Sequence, residues 1–307
     1  MLWLEHPRYV PVRDDLLARI RSERYRFRRH GRSIFLCGGA NSSRRERLRT
    51  YLLKHVQGLL GVFYAERVWE HITAHESQMT ALQMEAELAE LADIVIVIVE
   101  SPGTFAELGA FALSDELRAK LLPIVDQKYK GQESFIMTGP IRWIDRDSSF
   151  RPTVFVPLDT ILECVGEIED RISKIPKPSS TKVVDLSTNR KHLLFFLCDL
   201  VAVTYPVTIG MLQYYIEKIV THSPDQEVEI ATLVGLAESM GLLRSRTVQV
   251  RGTPYVFYAP SSSTALASPY HHQRMLDLRT QRANHVSVIL TLPDARDVLA
   301  AFSEEGK

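Results

Sequence analysis

"DIVIVIVESPGTFAELGAF", Asp93 to Phe111, decides the fold. Ile94 to Val99 is a run of β-branched residues with no polar alternation, the pattern of a strand buried on both faces of a parallel sheet. A loop, Glu100 to Thr104, follows and opens a helix whose first turn carries Glu107. Thr104-Phe105-Ala106-Glu107 matches a capping box, in which Glu107 does no more than reach back to the helix start. The same carboxylate lies beyond the C-terminal end of a buried strand, where open α/β sheets bind ligands, so it could also face a substrate. The residues leave both readings open.

Working outward, "SIFLCGG", Ser33 to Gly39, is a second apolar strand ending in two glycines, with Asn41, Ser42 and Ser43 placed to start the helix "RRERLRTYLLKHV". Further strands are read from Gly61, over Lys120–Asp126 and over Thr153–Asp159, and a long helix over His71–Ala92. The first half is therefore α/β, a doubly wound, mainly parallel sheet. "KIPKPSSTK", Lys174 to Lys182, reads as a linker, which divides the chain into domains over 1–175 and 183–307. Beyond it come three helical patterns, Arg190–Val203, Val207–Thr221 and Val228–Met240, and then "LLRSRTVQV" and "YVFYAP" joined by "RGTP", a hairpin. That order is the order of a smaller winged-helix α+β domain. Two more helices are expected over Pro269–Asn284 and Asp294–Phe302.

The chain has 307 residues, 45% hydrophobic and 24% charged, which excludes disordered and fibrous classes. No apolar run is long enough to span a bilayer, and the N-terminus does not read as a secretion signal, so a cytoplasmic protein without membrane contact is expected. Three cysteines without CxxC spacing argue against a disulfide framework or a zinc site. Net charge is zero, yet arginines crowd the first fifty residues, where Asp14 to His30 reads as a basic amphipathic helix. Arg24 and Arg28 on that helix, with Arg244, Arg246 and Arg251 on or beside the wing, are candidate contacts for nucleic acid or a partner, weighed against a plain solvated face.

At the sheet's C-terminal edge, Gly38, Gly39 and Asn41 can bring backbone N–H groups to an anion at a helix start, with Arg44 and Arg45 adding charge. The alternative is an ordinary tight turn. His71 and His75 have helical metal spacing but no third ligand, so no metal is expected. Ser77 and Gln78 are read as solvated polar groups, and Tyr64 as packing rather than a stacking platform for a purine.

"ELADIVIVIVESPGTFAELGAF", together with "IFLCGGANSS", resembles the nucleoside deoxyribosyltransferase family over most of residues 33 to 160. The whole arrangement, such a half joined to a winged helix, is similar to the effector toxins of bacterial retrons. The resemblance implies that Glu107 is the catalytic carboxylate of a GTxxExG motif formed with Gly103 and Thr104, and that Glu100 or Ser101 takes the polar position that contacts ribose. Transferases of the family carry Asp in that loop where this chain has "ESPG". The resemblance further implies N-glycosidic cleavage in antiphage defence, with NAD as substrate split to nicotinamide and ADP-ribose and no separate cofactor. The implied partners are a retron reverse transcriptase and its RNA-linked single-stranded DNA, in a higher-order assembly. Two other readings remain, a nucleotide-sensing DNA-binding regulator and a true deoxyribosyltransferase.

Overall fold

The computed structural model describes residues 2–21, 26–27, 32–40, 42–56, 59–64, 81–176, 181–220, 226–261 and 277–303. The chain packs as two compact units, Gly31–Lys177 and Met1–His30 with Pro178–Lys307.

In the unit of residues 31–177, five parallel strands form one sheet in the order β3-β2-β4-β5-β6, with β2 Arg32–Cys37, β3 Leu59–Phe63, β4 Ile94–Val99, β5 Leu121–Asp126 and β6 Val154–Val156. β4 sits at the centre, every residue of it buried, as its unbroken β-branched run requires. Ile96 pairs with Leu36 on one side and Leu122 on the other, so the chain reverses its winding direction between β2 and β4. This is the point at which doubly wound sheets open a crevice at their carboxyl ends. The apolar layer on the sheet is built from Ile34, Leu36, Leu48, Leu52, Ile96 and Ile98 among others. The helices are α2 Ser43–His55, α3 Ala81–Leu91, α4 Pro102–Leu113, α5 Asp115–Arg118, α6 Arg142–Asp147 and α7 Val165–Ser173. The part of the expected long helix before Ala81, with His71, His75, Ser77 and Gln78, lies outside the described residues.

In the other unit, α8 Arg190–Thr204, α9 Ile209–Ile219 and α10 Gln226–Ser239 precede an antiparallel hairpin, β8 Leu243–Val250 and β9 Thr253–Pro260. Between α8 and α9, Val207 adds a single β-bridge to Tyr258. The hairpin turn is shorter than "RGTP" suggests. Arg251 and Gly252 alone form it, both at positive φ (52° and 81°), which matches the right-handed twist of the flanking strands. α11 Leu278–Ile289 and α12 Pro293–Ala301 follow. The N-terminal helix belongs to this unit. α1 spans Val10–Ile20, with proline at its start, and buries Leu16, Leu17 and Ile20. Sequence division placed residues 1–175 in the first domain, whereas packing groups the first thirty with 178–307. The cause is apolar: Trp3 stacks on Phe257 at 5.5 Å, and the hydroxyls of Tyr9 and Tyr215 meet at 3.3 Å in a buried contact. Nor does α1 continue to His30, because it ends at Ile20 and Arg26–Phe27 form a short strand, β1, paired with β7 Thr181–Lys182. Arg24 and Arg28 lie outside the described residues.

Candidate active site

The sequence of α4 fixes where its carboxylate points. Ser101 is the N-cap and Pro102 takes the first helical position, which suits a residue without an N–H. The capping box is formed by Ser101 and Thr104, not by Thr104 and Glu107. Thr104 is fully buried, and its hydroxyl accepts from the N–H groups of Glu100 and Ser101, 3.0 Å each, while donating to the carbonyl of Ser101 at 2.8 Å. Thr104 and Ser101 thus shape the loop, and Gly103 is exposed beside them. Glu107 falls in the second helical turn, so the capping explanation for it is removed.

Glu107 is half-buried, with Oε2 beneath the surface. It takes a hydrogen bond from the Cys37 thiol at the end of β2. Burial pushes that thiol well above its usual value, and the charges of Glu107 and of Glu85 on α3 push it further in the same direction. Cys37 therefore stays protonated and serves as donor to the carboxylate. Two acidic side chains are thus drawn to one strand end at the winding switch, and Glu85 was not singled out from the sequence. Only tertiary packing of α3 on β2 brings it there. Gly109, two residues on and therefore on a different face of α4, has open space around it: a methyl group built on it would meet no heavy atom within 4 Å.

Glu100 does something different. Its Oε1 accepts the N–H of Gly39 at 2.9 Å and its Oε2 accepts from Arg44 at 3.1 Å. The carboxylate is almost fully enclosed, at 6% exposure. Arg44 also donates to Asp159 at 2.6 Å and to the carbonyl of Leu158 at 3.0 Å. Glu100 is therefore a clamp that ties the loop after β2 to the loop after β4, and both of its oxygens are occupied within the chain. The expected anion site changes accordingly. Gly39 spends its N–H on Glu100, and Arg45 bonds the Gly38 carbonyl at 3.4 Å while lying over the Tyr64 ring at 4.4 Å. Gly38 is required by close approach, since a Cβ there would sit 2.9 Å from Cδ of Arg45. Tyr64 packs as expected, its hydroxyl donated to Glu46 at 2.9 Å and its pKa raised by burial first and by that bond second. Asn41 lies outside the described residues.

In the second unit, Arg244 and Arg246 turn away from solvent. They donate to the carbonyls of Phe302 (2.8 Å) and Ala301 at the end of α12, where a cation meets the negative pole of a helix. Arg251 remains 84% exposed, paired with Asp294 at 2.8 Å. No group of three or more metal-ligating side chains forms among the described residues, and none of the helices there is long and apolar enough to cross a membrane.

With this geometry in view, the family model of the STM3845 retron effector protein matches residues 41–245, which runs through both units. The chain belongs to that retron effector family. It is 42% identical over 120 residues to an Escherichia coli protein provisionally named the ribosyltransferase/DNA-binding protein of retron Ec86, covering 38% of each chain. It is 30% identical over 209 residues to the similarly named protein of retron Ec73, also from Escherichia coli, covering 61% of this chain and 66% of that one. The effector thus spans less than two thirds of the length of either relative in these matches.

Proposed function

We propose that this retron effector cleaves the N-glycosidic bond of a nucleotide, with NAD as the leading substrate, and that Glu107 is the carboxylate that does it. The observation that carries the reading is the position of Glu107: freed from capping, held by the Cys37 thiol, at the switch point of a doubly wound sheet. A carboxylate there stabilises positive charge that develops on a pentose as its C1–N bond breaks. The electron pair of that bond leaves with the nicotinamide nitrogen, water adds its oxygen to C1, and the water's proton goes to solvent or to a nearby carboxylate, giving ADP-ribose. The unit fits a nucleoside deoxyribosyltransferase-like fold, and the three helices, hairpin and Val207–Tyr258 bridge of the other unit fit a winged helix. In that reading the second unit docks on the reverse transcriptase or its RNA-linked single-stranded DNA and governs when the first is active. Purified effector, alone and with those partners, should release nicotinamide from NAD, and Glu107→Gln should reduce release by at least a hundredfold; full turnover in that variant refutes the role.

The provisional names of the two relatives favour a second reading, transfer of the ribosyl group to an acceptor other than water. Offering two different bases and following base exchange by mass separates the transferase from the hydrolase. Binding of NAD without turnover by either route would instead favour a nucleotide-sensing regulator.

A further inference from the structure

The helix that carries Glu107 is apolar on the side it shows to water. α4 packs on β4 and β5 and buries Thr104, Leu108, Phe111 and Ala112. Its opposite side, with Pro102, Phe105, Ala106, Gly109 and Leu113 at helical spacing, holds no polar side chain, and Leu113 is 72% exposed. A surface helix ordinarily places charged residues there, and a helix apolar all round is ordinarily buried all round. Beside α4, residues 127–141 follow β5 and pack on the helix through Met137–Ile141. They extend the same surface, since Phe135 is 84% exposed. An apolar patch of this kind marks an interaction site.

The charges around the patch are sorted by end, and they say what covers it. Val99 pairs with Val125, so β4 and β5 stop level. Exposed Lys128 and Lys130, with Glu133 as the exposed acid among them and Asp126 largely enclosed beside Lys128, therefore stand at the end where α4 begins. At the other end Asp115 and Glu116, both exposed, follow directly on Leu113. The cations near them are engaged within the chain: Arg118 is enclosed between Asp115 and Asp147, and Lys120 donates to the carbonyls of Glu90 and Ala92. The helix poles carry the same signs, positive at Pro102 and negative at Leu113. Turned end for end, this surface is the complement of itself. Phe105 and Leu113 stand four residues to either side of Gly109, which adds no bulk, so antiparallel helices crossing there set each Phe105 against the other's Leu113. A uniformly charged partner such as a nucleic-acid strand matches neither the apolar centre nor the opposed ends.

We propose that α4 and the Phe135 segment form a two-fold interface with a second copy of this chain. Glu107 lies on another face of α4, so the surface stands whether or not the effector cleaves NAD. A twelve-residue helix is about 18 Å long, and a stable dimer hides about 800 Å² per partner, more than one helix face and a neighbouring segment supply; association in roughly the micromolar range is the expectation.

The test is sedimentation velocity on the full chain over a range of concentrations. The wild type should pass from monomer to dimer, and Leu113→Glu, at an exposed position, should weaken the dimer at least about tenfold with an unchanged melting curve, because the new carboxylate would be buried unpaired. Lys130→Glu and Glu116→Lys should each weaken it, and the double variant should recover. Gly109→Cys should cross-link to its own copy with a short bismaleimide, while Leu53→Cys, exposed on α2, should not. A wild type that stays monomeric at about 100 µM, or Leu113→Glu and Phe135→Glu variants that associate like the wild type, overturns the proposal. If the wild type is monomeric and Leu113→Glu instead loses binding to the reverse transcriptase, the face belongs to that protein and the two-fold interface is refuted.

Discussion

Replacing Glu100 with Gln should damage the candidate site far more than replacing Asp159 with Asn, although both acids hold the same arginine and Asp159 makes the shorter contact, 2.6 Å against 3.1 Å. Exposure decides between them. Asp159 is 89% exposed and its attraction to Arg44 is screened by water, so its removal should cost about 0.5 kcal/mol or less. Glu100 is 6% exposed and bonds both Arg44 and the Gly39 N–H. Gln keeps an oxygen for Gly39 but turns an amide donor toward a guanidinium that also only donates. Bonds to charged groups are worth roughly 1.5–3 kcal/mol, and the 36% exposure of Arg44 places the loss toward the lower end, about 2 kcal/mol. In a unit of this size that is a fall in melting temperature of about 4–8 °C, against about 2 °C for the Asp159 variant. Calorimetry on the full chain, with the transition of each unit followed separately, measures both. Equal losses, or a greater loss for Asp159→Asn, would show that the clamp is not held by the enclosed carboxylate. Since Gly38 and Gly39 are carried by this clamp, Glu100→Gln should also lower whatever turnover depends on Glu107, without touching its carboxylate.

Two glycines make opposite forecasts. Gly38→Ala forces a methyl to within 2.9 Å of the buried Arg45 side chain and should cost about 1–3 kcal/mol; Gly109→Ala, in open space within α4, should gain up to about 1 kcal/mol in a urea melt. Thr104→Val leaves two N–H groups of the loop without their acceptor and should cost about 2 kcal/mol, whereas Thr104→Ser should retain most of the wild-type stability. His285, at the centre of the α1–α11 contact with Tyr9, Asp15, Gln281 and Arg282 around it, has its pKa pushed down to about 4, by burial first and by Arg282 also. Its folded value lies below the unfolded 6.5, so the unfolded chain gains a proton first as pH falls; this contribution to stability is whole above 6.5 and shrinks by about 3 kcal/mol on the way to 4. The urea midpoint should fall over that window by more in the wild type than in His285→Phe, and parallel curves would count against the assignment.

The sheet was legible because its strands announce themselves. Ile94–Val99 and Leu121–Val125 are apolar without alternation, and only burial on both faces accommodates that. The start of α4 was misread by three residues because Thr104 and Glu107 mimic a capping box, while the stronger signal, Ser101 followed by proline, stood just before it. What stayed hidden has large sequence separation. Glu100 meets Gly39 and Arg44 across 61 and 56 positions, and Arg244 meets Phe302 across 58. No local periodicity reports such pairs. The N-terminal helix was assigned to the nearer unit for the same reason, since nothing around Trp3 or Tyr9 in sequence names Phe257 or Tyr215 as their neighbours.

Arginine is the residue whose meaning changed most between sequence and structure. In both units it acts as an internal acceptor-seeker. Arg118 donates to the carbonyl of Ala112 at 2.7 Å, Arg171 to those of Phe150 and Glu167 at 2.9 Å, Arg45 to that of Gly38, and Arg282 to those of Val203 and Tyr205. A planar five-donor group suits this work, since it can satisfy several carbonyls at the ends of helices and strands at once. Each guanidinium so used is withdrawn from solvent and cannot release a counterion from a phosphate chain. Of the three wing arginines, Arg251 alone keeps its head group largely in water.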